Sequence, residues 1–412
     1  MVGLGMIFDE TYLPALRAIH THGLFHRETG LVEVQFAAAA TRTGSRGEKL
    51  KARALPGMTQ FQNLSGNNSV VQLLKSGVDI VCIATPDDRH FEPAKLALSA
   101  GCHVLIEKPS VLSLAELDEL NDLAAKNKVL AKVVYHKLLD PDHKKLRTHV
   151  LDGTLKHVNN GYCSLLEPKS IALGQFNEWL HGRNPATYVA VHYLKLIDFT
   201  FGPDWKLSRV TATGQRGIAG KTDGPTWDSV QMRVIYTHPD HREAAFDIHT
   251  SWVTPDNFPG YVEQEVQFRF DNGVWASHQR KRGVEVTVED KSPDTIKYTP
   301  NHHYNAECVE PWGDRTARGY GVEVIRRFFE EVAHVEFGTS GDRDSRLNAM
   351  RKLAYNDLQS DRNVVAAVQA VEAILASAAA GQPDSIVKYN GPHGELVQYF
   401  PGQSDYNILP PR

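Results

Sequence analysis

Residues 78–109, VDIVCIATPDDRHFEPAKLALSAGCHVLIEKP, leave this chain little choice of fold. Ile80 to Ala84 is a short apolar run, rich in β-branched residues and too short for a helix, so it reads as a buried strand. Thr85-Pro86-Asp87 breaks it. Ala94, Ala97 and Leu98 then recur at helical spacing, with Pro93 near the start and Gly101 just past the end. A second apolar run, His103 to Ile106, stops at Glu107-Lys108-Pro109. Strand, helix and strand in this span form a βαβ unit, and such units build parallel sheets. In a parallel sheet the ligand lies beyond the carboxyl ends of the strands. Both polar clusters, Thr85–His90 and Glu107–Pro109, fall at such ends.

The 412 residues suggest two or three domains, and 42% hydrophobic with 23% charged residues is an ordinary globular balance. A net charge of -4 gives no pull toward nucleic acid or an anionic membrane. Cys82, Cys102, Cys163 and Cys308 show neither pair nor zinc spacing, so a reducing, cytoplasmic compartment and no metal are expected. No apolar run approaches about 18 residues, and no signal peptide precedes the first strand.

Before the βαβ unit, Met1 to Leu4 can only be the end of a strand, either unusually short or begun earlier in the natural chain. Gly3 and Gly5 fill two positions of a G-x-G-x-x-G turn, and the third falls on Phe8. An ordinary strand-to-helix turn explains the two glycines equally well. Val32 to Ala40 is the next strand candidate. The segment Thr41-Arg42-Thr43-Gly44-Ser45-Arg46 follows, with no acid for a ribose 2′-hydroxyl before Glu48. Arg42, Ser45 and Arg46 could hold a 2′-phosphate instead, which favours NADP over NAD; a solvated basic loop is the competing reading. Asn67 or Asn68 can cap a short helix through Leu74, and Ser113-x-x-Glu116 is a capping box. Val129 to Tyr135 is one more strand, ending at His136-Lys137. Residues 1–136 therefore read as a doubly wound dinucleotide-binding domain.

Asp79 to His90 (DIVCIATPDDRH), Ala97 to Val104 (ALSAGCHV) and Glu107-Lys108-Pro109 together resemble the glucose–fructose oxidoreductase / inositol dehydrogenase / rhizopine catabolism (Gfo/Idh/MocA) family. The resemblance implies an α/β fold with an N-terminal Rossmann domain, a doubly wound parallel sheet. A C-terminal α/β domain with a large open, mainly antiparallel sheet, residues 137–412, would bind substrate and form oligomers. It implies hydride transfer between a nicotinamide cofactor and a sugar or cyclitol. Lys108 matches the family's catalytic lysine, Pro109 a proline often preceded by a cis bond, and His192 the catalytic histidine. The usual Asp-x-x-x-His-x-x-Asp reads Tyr188-x-x-x-His192-x-x-Lys195 here, without either carboxylate. Cofactor contacts are then expected at Gly3, Gly5, Met6, Ile7, Thr41, Arg42, Arg46, Thr85, Pro86, Asp87, His90, Glu107 and Lys108. Substrate contacts are expected at His136, Lys137, Asn184, Tyr188 and His192.

In the second half, Pro185 to Phe201 reads as one helix placing Tyr188, His192 and Leu196 on a common face. The polar loop Asn177–Asn184 around Trp179 suits a sugar, and equally a plain surface loop. From Leu207 to Lys297 strands dominate, and Asp271-Asn272-Gly273 marks a hairpin. Gly319–Val335 and Ser360–Ala380 read as helices, and Lys388–Arg412 as an extended arm. The expected activity is an NAD(P)-dependent oxidoreductase acting on a sugar, sugar derivative, glycoside or cyclitol, in a homo-oligomer (dimer or tetramer). A redox-neutral glycoside-cleaving enzyme with tightly held cofactor, or a non-catalytic dinucleotide-binding regulator, are the alternatives.

Overall fold

The computed structural model describes residues 1–175, 180–258, 262–278, 283–288, 296–298, 301–353, 355–382, 384–390, 394–403 and 406–409. The expected loop residues Asn177, Glu178 and Trp179, Glu289 within the strand-rich span, and 410–412 of the tail lie outside them. The chain divides into two compact units, Met1–Asp140 with His302–Arg362, and Pro141–Asn301 with Asn363–Arg412.

The first unit holds a parallel sheet. Gln62–Ser65 pairs with Ala38–Thr41, and Ile80–Ile83, His103–Glu107 and Ala131–Val134 pair in turn. The two groups join through Val2, which bridges Ala40 on one side and Ile83 on the other. In chain order the strands therefore lie 3-2-1-4-5-6, with the order reversing at Val2. In the first strand position, Val2 makes both bridges. Val32–Ala40 is not one strand: Gly30–Val32 closes a hairpin with Leu24–His26, and pairing resumes at Ala38.

The segment His302–Arg362 corrects the expected boundary at residue 137. It returns to the first unit as the hairpin Ala306–Val309/Arg315–Arg318 and the helices Tyr320–Phe337 and Arg343–Leu353. Tyr320, Val324, Ile325, Phe328, Phe329 and Val332 share one core with Phe8, Tyr12, Leu13, Leu16 and Ile19. Asn356 then lies along the last parallel strand, where its carbonyl accepts the Val133 N–H (2.9 Å).

The second unit is built on a nine-stranded sheet in the order Gly273–His278, Glu263–Phe270, Val158–Pro168, Glu243–Thr254, Ser229–Thr237, Lys206–Gln215, Ile386–Asn390, Glu395–Tyr399 and Tyr406–Ile408. Every neighbouring pair is antiparallel except Val158–Pro168 with Glu243–Thr254. Burial alternates along the strands: Val230, Met232, Val234 and Tyr236 face inward, whereas Gln231 and Arg233 are exposed. Asp271 and Asn272 form the expected two-residue turn between Phe270 and Gly273. The tail is not a free arm: its three strands continue the sheet. The stretch Leu358–Ala379 is long and apolar enough to cross a membrane by composition, but it includes a helix whose Val364, Val365, Ala366 and Ala367 are fully buried in the protein.

Candidate active site

Where the strand order reverses, Gly3 has φ +86°, and a Cβ there would stand 2.4 Å from the Ala84 carbonyl oxygen. No residue but glycine fits that approach. A Cβ at Gly5 would meet only the Arg46 guanidinium, 3.6 Å away. The second glycine thus leaves backbone uncovered, as a pyrophosphate needs. Phe8, in the third position, is buried in the core and opens a π-helical turn, Phe8–Tyr12, before the regular helix Leu13–His22. Ile7 packs against that core, and Met6 is half-buried. The residues at the turn therefore fit a dinucleotide.

Thr41 ends the strand Ala38–Thr41, and Arg42 follows it. Thr41 Oγ1 accepts the Gly44 N–H (2.9 Å) and so closes the loop. Arg42 and Ser45 are exposed. Arg46 is committed to the glycine turn, since its Nη1 donates to the Leu4 carbonyl (2.8 Å). Glu48 accepts from the Asn63 amide (2.5 Å).

The two strand ends of the βαβ unit are joined by His90. Its Nδ1 lies 2.7 Å from the Pro109 carbonyl and its Nε2 lies 2.9 Å from the Thr85 carbonyl. It is 1% exposed, so it ties the loops together and is not a surface for cofactor. Burial lowers its pKa, opposed by the two carbonyls and Asp87. Thr85 Oγ1 donates to the Arg89 carbonyl, and Asp87 is buried. The Lys108–Pro109 bond is cis, as expected.

Glu107 also departs from the expected role. Its carboxyl is buried against Tyr12 and Cys82, and burial pushes it up to about 7, with Lys108 pulling the other way. The His136 ring stacks on Tyr320 (6.0 Å) and meets Tyr304 at a tilt (5.0 Å). Burial, Lys137 and Lys108 hold its pKa well below the usual histidine range, so it is neutral at pH 7. The first unit thus brings Lys108, His136 and Lys137 together at adjacent strand ends. Lys108 and Lys137 are both buried.

In the second unit the predicted single helix is two pieces: a π-helical turn Ala186–Ala190 and the α-helix Val191–Phe201. The wider turn breaks the simple i, i+4 spacing assumed between Tyr188 and His192. His192 and Lys195 are buried on the α-helix. Tyr188 packs near Trp252 (6.1 Å), whose Nε1 donates to Glu167 (2.9 Å). Asn184 is not an open substrate contact. Its Oδ1 accepts the Thr187 N–H (2.9 Å) and its Nδ2 donates to Glu372 (2.8 Å). Sequence reasoning missed Asp361, Ser110, Tyr135, Tyr304 and Glu372, because each meets its partner across a long stretch of chain.

Residues 1–135 match the family model described as the oxidoreductase family with an NAD-binding Rossmann fold, GFO_IDH_MocA. This match covers the first third of the chain and supports a likeness to the Gfo/Idh/MocA family there. It is 32% identical over 156 residues to a D-glucoside 3-dehydrogenase of Escherichia coli (strain K12), a match covering 35% of this chain and 44% of that protein. It thus spans less than half the length of that relative. Over 129 residues it is 31% identical to a UDP-N-acetylglucosamine 3-dehydrogenase of Acidithiobacillus ferrooxidans, covering 30% of this chain and 37% of that protein. The fold of scyllo-inositol dehydrogenase from Lactobacillus casei superposes with TM-score 0.60 at 15% identity, covering 90% of this chain and 94% of that one. In this chain a Rossmann-type parallel sheet is followed by a large, mainly antiparallel sheet, consistent with those fold neighbours.

Proposed function

We propose that this chain is an NAD(P)-dependent dehydrogenase that oxidises a hydroxyl of a sugar, sugar derivative, glycoside or cyclitol, or reduces the corresponding carbonyl. The observation that carries the reading is Lys108, buried at a strand end of a sheet whose Gly3 turn is pinched against Ala84. Gly3, Gly5 and the Thr85–Asp87 loop would hold the dinucleotide. The nicotinamide, when bound, supplies the hydride acceptor or donor. Lys108 Nζ takes the hydroxyl proton as the carbonyl forms, and returns it in the reverse direction. The resemblance names His192 as the second catalytic residue. Lys137 and the neutral His136 orient the substrate hydroxyls beside Lys108. Exposed Arg42 and Ser45, with no acid at the strand end before Glu48, support NADP over NAD. Self-association as a dimer or tetramer through the open sheet face belongs to the same proposal. The two relatives described above are dehydrogenases, which supports this reading over the redox-neutral cleavage and regulator readings.

The test is a screen of myo-inositol, scyllo-inositol, methyl D-glucosides and UDP-N-acetylglucosamine with NAD and NADP, following nicotinamide absorbance and products together. Lys108→Met should lower kcat by about 1,000-fold, within the range of losing a positioned acid–base group, while NADPH affinity stays within about twofold. Undiminished turnover by that variant would end the assignment.

A further inference from the structure

We infer that Asp361 is a positioning residue for Lys108, acting through Ser110 and Tyr135. The inference rests on the reading of Lys108 given above. Asp361 is 0% exposed. Its Oδ2 accepts the Ser110 hydroxyl at 2.5 Å, and its two oxygens accept the Tyr135 hydroxyl at 2.9 and 3.1 Å. These partners are 251 and 226 residues away in sequence.

Each partner sits next to the proposed chemistry. Ser110 follows the cis Lys108–Pro109 bond and is itself fully buried. Tyr135 is the last residue before His136 and Lys137. The carboxylate therefore ties the strand end carrying Lys108 to the neighbouring end carrying His136 and Lys137. On the other side, the Pro109 carbonyl is held by His90, which also holds Thr85. The two residues that follow Lys108 are thus both fixed, Pro109 by His90 and Ser110 by Asp361.

An aspartate just before a helix, here Arg362–Ala379, ordinarily serves as its cap. A cap needs only the helix's own N–H groups, whereas both oxygens of Asp361 take hydroxyls from distant segments. A buried carboxylate is costly unless its lone pairs are filled by good donors. Two hydroxyl donors aimed from two strand ends fill them, and they fix direction as well as distance. A shift of about 1 Å at a reacting group lowers rates by up to about 100-fold, which is the scale at stake.

The experiment compares Asp361→Ala, Asp361→Asn, Ser110→Ala and Tyr135→Phe in the full chain, using the panel substrate turned over fastest. Asp361→Ala should lower kcat by about 10- to 100-fold with NADPH affinity, read by fluorescence titration, within about twofold. Asp361→Asn, which keeps one acceptor oxygen, should recover part of the loss. The double variant S110A/D361A should be no slower than Asp361→Ala alone, because Asp361→Ala already removes the link to Ser110. Competitive acetylation of Lys108 with NADPH present, read by mass spectrometry, should change in Asp361→Ala whether or not a substrate is known. A folded Asp361→Ala protein with wild-type kcat and unchanged acetylation would overturn the inference, as would strictly additive losses. If Asp361→Ala does not fold, Ser110→Ala and Tyr135→Phe decide it: unchanged kcat and acetylation in both rejects the role. If Lys108→Met retains turnover, the reading of Lys108 itself has failed. If Lys108→Met is inactive while Asp361→Ala is unimpaired, only the present inference has failed.

Discussion

Glu107 illustrates how a residue beside the chemistry can serve the fold. Its carboxyl, raised from 4.5 to about 7 by burial, is protonated in the folded protein at pH values where the unfolded chain has already ionised it. Between those two values the unfolded state binds fewer protons, so stability falls as pH rises. The penalty is complete above about pH 7. A displacement of that size corresponds to on the order of 3 kcal/mol. Glu107→Gln should therefore gain stability over the wild type as pH rises from 5 to 8, by up to about 3 kcal/mol in urea unfolding. A difference between the two proteins that stays flat over that range would show that the carboxyl is not held neutral by burial. Lys108 was legible because its neighbours form a dense ordered pattern. The orientation of Glu107, His90 and Asn184 was not, since sequence gives residue type and order but not which way a side chain faces. A histidine between two carbonyls looks the same in the chain as one that meets a cofactor.

Elements were legible where their period was clean. Strands such as Ser229–Thr237 alternate buried and exposed residues, inside the span from Leu207 to Lys297 that reads as strand-rich. Val158–Pro168 escaped notice because it begins with Asn159, Asn160 and Gly161. Gly161 is required there by packing: a Cβ would come within 2.4 Å of Phe268 and 2.6 Å of Phe246. The π-helical turns before Leu13 and Val191 have no signature in an i, i+4 reading, yet each lies at a segment assigned to the site. Between elements, the last parallel strand is fastened to the helix Tyr320–Phe337 by Lys132 and Glu331, 2.9 Å apart. Lys132 is fully buried and Glu331 is 13% exposed at its side chain. Removing one member of such a pair strands a charge. Glu331→Gln should cost about 3–5 kcal/mol in chemical denaturation, while the double variant K132M/E331L should stay within about 1 kcal/mol of wild type. A Glu331→Gln cost below about 1 kcal/mol would mean water, not Glu331, satisfies the ammonium.

At the scale of the molecule, the decisive feature is that the dinucleotide half is not one continuous stretch. Its family pattern ends near Tyr135, and nothing in residues 302–362 repeats that pattern, so sequence reading assigns them to the second half. Their apolar face nevertheless completes the first core. Tyr320, Val324, Ile325, Phe328, Phe329 and Val332 are each buried there, at about 1.5–3 kcal/mol apiece on the scale of large apolar side chains. The total is on the order of 10 kcal/mol, comparable to the whole net stability of a typical domain. Asp361 adds its hydroxyl links from the same segment. A fragment comprising residues 1–140 should therefore lose cooperative unfolding and NADPH binding, though its sequence contains every residue expected to touch cofactor. Joining residues 302–362 to it through a flexible Gly/Ser linker should restore both, measured by thermal unfolding and fluorescence titration. A fragment 1–140 that melts sharply and binds NADPH like the full chain would show that the returning helices decorate the Rossmann sheet without holding it together.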